Sequence, residues 1–76
     1  MTDFVVLRNT VNNSKLELRY IARQLNISYN ALLRKMNGEL DFKVSEVRAM
    51  ASLFKLNGLQ MKAIFFTPNV NEQGAV

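Results

Sequence analysis

Seventy-six residues leave room for one hydrophobic core, because a chain this short buries only about 60% of the surface its unfolded form exposes. It has no cysteine, which excludes a disulfide framework and a thiolate zinc site, so the fold rests on apolar packing and suits a reducing cytoplasm. Ten Lys and Arg against six Asp and Glu give a formal charge of +4, which favours polyanionic partners, although a solvated basic surface explains it equally well.

An apolar fraction of 49% with three glycines and one proline predicts a globular helical domain, since turn-rich and disordered chains carry more punctuation. The longest apolar runs, Phe4 to Leu7 and Ala63 to Phe66, are far below the roughly 20 residues needed to cross a bilayer, so no membrane partner is expected. The first residues carry Asp3 and no basic leader, so no signal peptide is expected either.

Helical periodicity predicts five helices. The first covers Asp3 to Val11, with Phe4, Leu7 and Val11 on one stripe, and Asn12, Asn13 and Ser14 break it. The second carries Leu18, Ile21, Ala22 and Leu25. Its start is either a capping box of Ser14 with Glu17 or a later point near Glu17. Leu25-Asn26-Ile27-Ser28 reads as a sharp turn, with Asn26 entering the left-handed region and Ser28 capping a third helix over Tyr29 to Asn37, which Gly38 ends. A fourth helix is predicted over Val44 to Phe54, with Val47, Met50, Ala51 and Phe54 inward. A capping box of Asn57 with Gln60 opens a fifth from Gly58 to Phe66. Pro68 limits it, and residues 67–76 are expected to be a flexible tail beyond a domain spanning 1–66.

Catalysis is not expected: there is no histidine, no cysteine and no glycine-rich phosphate loop, and the acidic residues are scattered without pairing. Neither a cofactor nor a metal is expected. The informative segment is Ile21 to Ser28. Two short helices with a small residue at their crossing are what a helix-turn-helix requires, and Ala22 supplies that residue while Ile21, Leu25, Ile27 and Leu32 form the wedge. With Leu32 inward, about 100° per residue turns Asn30, Leu33, Arg34 and Asn37 outward and leaves Ser28, Lys35 and Met36 towards the core. Lys35 is read either as covering Met36 with its stem or as touching phosphate. Basic residues gather here as Lys15, Arg19, Arg23, Arg34, Lys35 and Lys43, diluted by Glu17, Glu39 and Asp41.

Tyr20 to Ser28, then Leu32, Arg34 to Gly38 and Phe42, resembles the small phage Cro and repressor family. Ser45-Glu46-Val47, Leu53 and Ile64-Phe65-Phe66 resemble a branch of it found in phages of low-GC Gram-positive bacteria. The resemblance covers residues 4–66. It implies an all-α, five-helix lambda-repressor-like DNA-binding domain in the cytoplasm of a bacterial host cell, often dimeric, whose third helix reads double-stranded operator DNA. The family's base-reading positions fall on Tyr29, Asn30, Leu33 and Arg34, and its phosphate-contacting asparagine on Asn37. Arg19 and Ser28, near the starts of the second and third helices, complete the candidate surface.

Three positions depart from the family. Asn26 replaces a turn glycine, Leu18 stands where a polar or basic phosphate contact is usual, and Leu33 is an apolar residue facing outward. Leu33 suits a thymine methyl, a protein interface, or no partner at all. A second reading therefore stays open: an antirepressor or modulator that binds a phage repressor's DNA-binding domain through Leu18, Tyr29, Leu33 and Arg34. The end Leu59, Met61 and Ile64 to Phe66 is read as core, with part of it available for a homodimer contact.

Overall fold

A computed structural model describes residues 2–66, and the expected tail at 67–76 lies outside the described residues. The elements are α1 (Phe4–Ser14), α2 (Leu18–Gln24), α3 (Tyr29–Met36), α4 (Val44–Leu53) and α5 (Gly58–Phe65). No strand occurs among the described residues, so the domain is all-α. No described helix is long and apolar enough to cross a membrane.

Each helix contributes one fully buried side chain to the centre: Leu7, Ile21, Leu32, Met50 and Ile64. Such a core couples the helices, because removing any one leaves apolar surface of the other four exposed. Around it α2 packs on α3, while α1 packs on α5 and α3. The Asp3 amide donates to the Ile64 carbonyl, joining the start of α1 to α5.

The helix ends explain the boundaries. Asp3 caps α1, its Oδ1 accepting from the amides of Val5 and Val6. The helix then continues through Asn12 and Asn13 to Ser14, past the predicted end at Val11. Both asparagines are exposed, and Lys15 takes the left-handed conformation (φ 64°) that ends the helix. The capping box of Ser14 with Glu17 does not form. Ser14 Oγ donates to the Val11 carbonyl and accepts from the Leu16 amide, which uses it to leave α1, and α2 starts later, after Glu17.

Three helices end in one way. After α2, Asn26 (φ 61°) donates to the Arg23 carbonyl and Ile27 to that of Ala22; after α3, Gly38 (φ 82°) donates to Lys35 and Glu39 to Arg34; after α4, Lys55 (φ 56°) donates to Ser52 and Leu56 to Ala51. Each is a Schellman motif, which satisfies two carbonyls and reverses the chain. Asn26 and Gly38 stand in their predicted places, and α3, α4 and α5 each end one residue sooner than expected. The Asn57 and Gln60 capping box forms in both directions, at 2.8 and 2.9 Å. At the start of α4 Lys43 has no side-chain acceptor, so only half a box forms, with Glu46 Oε1 accepting from the Lys43 amide.

Of the residues predicted inward on α4, Val47 and Met50 are buried, and Ala51 and Phe54 half-buried. The aromatic end divides: Ile64 and Phe65 are core, Met61 is half-buried, and Leu59 and Phe66 are exposed.

Candidate functional site

Ser28 fixes where α3 begins, since its Oγ accepts the Ala31 amide at 3.0 Å. Leu32, Lys35 and Met36 then point inward, and Asn30, Arg34 and Asn37 are exposed, as the period requires. Leu33 is half-buried. Ser28 was expected on the core side and is exposed instead; as the cap it has extended backbone, so the helical period does not set its direction.

The predicted residues form two groups. At the start of α3, the Arg19 guanidinium lies over the Tyr29 ring, 4.6 Å from its centroid. Arg23, Ser28 and Asn26 line the same notch, which carries no carboxylate. At the other end of α3, Leu18 and Leu33 share an apolar depression with Val11, Leu16 and Met36, bordered by Arg8, Lys15, Asn12 and Asn37. Arg8 Nη2 donates to Asn37 Oδ1 at 3.0 Å, tying α1 to the end of α3. Between the groups stand Asn30, free of side-chain contacts in the described structure's hydrogen bonds, and Arg34.

Arg34 has a neighbour that helical spacing does not disclose. Its Nε lies 3.4 Å from Glu39 Oε1, and both side chains are more than half exposed. The reversal at Gly38 brings Glu39 back beside α3. Arg8 is the other residue that sequence reasoning missed, because it is 29 positions from Asn37 and only tertiary packing joins them.

Of the two readings of Lys35, a reach towards phosphate is the one the structure overturns. Lys35 is buried, and its Nζ donates to Glu46 Oε1 on α4, also buried. Burial by itself would raise the Glu46 carboxyl, but the Lys35 ammonium, the Lys43 amide and the charges of both lysines outweigh it and hold the group below its ordinary value. The pair fixes α3 against α4 and so sets how the outward face is presented.

No group of three or more His, Cys, Asp or Glu side chains able to hold a metal exists among the described residues. The arrangement offers hydrogen-bonding side chains, apolar surface and five cations, Arg8, Lys15, Arg19, Arg23 and Arg34, which suits recognition of a large anionic or mixed surface. No family model, curated protein or solved structure matches the chain.

Proposed function

We propose that the protein is a phage transcriptional regulator of the Cro and repressor kind, with α2 and α3 as a helix-turn-helix and α3 as the helix that enters the major groove of operator DNA. The observation that carries this reading is the exposed Asn30 and Arg34 on α3 with Asn37 at its C-terminal end and the half-buried Leu33 beside them, flanked by cations at both ends. Arginine grips guanine O6 and N7 bidentately, asparagine does the same for adenine, and leucine meets a thymine methyl. Arg19 and Arg23 at one end and Arg8 and Lys15 at the other are placed to hold phosphates.

A gel-shift series with the promoter region beside the gene tests this. Affinity falls with salt at a log-log slope of about 0.9 per phosphate contact, and Arg34→Ala costs roughly 1–3 kcal/mol while relaxing preference at one base pair. Absence of any shift at about 50 mM salt overturns the reading.

The depression shared by Leu18 and Leu33 favours a second reading, in which the same face covers the DNA-binding domain of a phage repressor. Leu33→Gln separates the two. On DNA the amide adds a base-edge hydrogen bond and binding is kept or tightened, whereas an apolar protein contact weakens.

A further inference from the structure

The depression that Leu18 and Leu33 share, open and about 420 Å³ in volume, holds more apolar surface than a base edge can cover. Its floor is drawn from three helices and the link between two of them: Val11 and Met36 are buried there, and Leu16, Leu18 and Leu33 are half-buried. A thymine methyl is the largest apolar group that a major groove presents, and it meets one such side chain, not five. Both charged residues on the rim, Arg8 and Lys15, are cations, and neither is in an ion pair among the described residues. The Arg8 guanidinium is oriented by the neutral amide of Asn37, at 3.0 Å, so it is held in place with its charge uncompensated. Arg34 shows the contrast, since Glu39 lies beside it. Glu17, the acid nearest to Lys15 in sequence, lines the neighbouring notch, where Arg19 and Arg23 outnumber it.

We propose that this depression takes an acidic, amphipathic protein helix. One large apolar side chain sits on the floor, while Asp or Glu beside it on the same helix face meets Arg8 and Lys15. Residues three and four apart share a helix face, so one turn of the partner supplies both groups. An apolar anchor in a desolvated pocket carries most of the affinity of such a contact, and oriented cations around it select the sign of the partner. That the partner is a protein rests on the repressor-domain reading; its acidic chemistry follows from the rim. A base-reading helix, which carries cations, is repelled by Arg8 and Lys15, whereas a segment of acidic and apolar residues is drawn in. Because the same two cations are proposed to hold phosphates, the partner helix and DNA exclude each other from this end of α3.

Fluorescence anisotropy of the full chain, from about 1 to 500 μM, against three labelled helical peptides of about 16 residues tests this. The first carries leucines on one face with glutamates beside them, the second has those glutamates changed to lysine, and the third keeps the glutamates and has serine for leucine. The first is expected to bind about tenfold more tightly than either of the others. Leu33→Ser and Arg8→Gln each weaken it by about tenfold, and glutamine keeps a side-chain amide to donate to Asn37. Arg8 is exposed, so its variant reads the site even where Leu33→Ser loosens the fold. A lysine peptide that binds as tightly overturns the acidic chemistry and leaves the repressor-domain reading standing. A serine peptide that binds as tightly overturns the apolar anchor and leaves a surface for polyanions such as DNA. If the first peptide does not bind at the highest concentration, or binds both variants as tightly as wild type, the depression is not its site and the proposal falls. Titration of a repressor's DNA-binding domain then decides the repressor-domain reading by itself.

Discussion

The Arg34 guanidinium lies beside the Glu39 carboxylate, and under the proposed operator reading that carboxylate and DNA compete for it. An exposed pair of this kind is worth about 0–1 kcal/mol, so a base edge or phosphate displaces Glu39 easily. Its charge nonetheless opposes every polyanion that approaches. Glu39→Gln is therefore expected to tighten binding to operator and to shuffled duplex alike by about twofold to fivefold, with a steeper salt dependence. Fluorescence anisotropy at several salt concentrations checks this, and unchanged affinity on both duplexes would show that Glu39 stands clear of the DNA. At this scale the outward positions of Asn30, Arg34 and Asn37 were legible, because one buried leucine sets the phase of a regular helix, whereas Leu33, expected outward, is half-buried because α1 and the start of α2 pack beside it. The contacts of Arg34 with Glu39, Arg8 with Asn37 and Arg19 with Tyr29 were not, since each crosses a turn or joins two helices. The Ser28 direction was lost because a cap lies outside the period that was applied to it.

The five helices were legible as elements because apolar spacing and end signals agreed. Asn26, Ser28, Gly38 and the Asn57 and Gln60 pair each perform the local chemistry that their residue types suggest. The exit from α1 was not legible: Asn12 and Asn13 look like breakers, yet in exposed helical positions they cost only a fraction of a kcal/mol each, and the bend falls at Lys15, a residue without a turn preference. The α3 ending offers a direct test. A Cβ on Gly38 would meet the Phe4 ring at 3.2 Å in a left-handed backbone, so Gly38→Ala is expected to cost about 1–2 kcal/mol. Leu32→Ala, which empties the centre between α2 and α3, is expected to cost about 2–5 kcal/mol. Urea titrations rank the two. Should Leu32→Ala unfold at the wild-type midpoint, the α2 and α3 packing described here is wrong.

For the whole molecule, acid tests how α3 is held. Protonating all six carboxylates takes the formal charge from +4 to +10, since the ten cations are then unopposed, and this self-repulsion loosens any small basic domain. The Lys35 and Glu46 pair adds a separate contribution. Because the folded Glu46 carboxyl lies below its ordinary value, its stabilisation is fully present above the ordinary carboxylate range and is lost as pH falls through the lowered folded value. Salt distinguishes the two: about 0.5 M shortens the Debye length to roughly 4 Å, which suppresses repulsion between surface charges but barely reaches a buried pair. Thermal melts from neutral pH to about pH 2.5 are therefore expected to keep a salt-resistant loss of stability in wild type. Glu46→Gln should lack that component and be less stable at neutral pH by about 3 kcal/mol, because the Lys35 ammonium is left buried without its counter-charge. Replacing both residues, Lys35→Met with Glu46→Leu, should recover most of the loss, since neither charge then needs a partner. If wild type and Glu46→Gln share the same acid profile in high salt, Glu46 contributes nothing to acid stability and α3 is held by its apolar face alone.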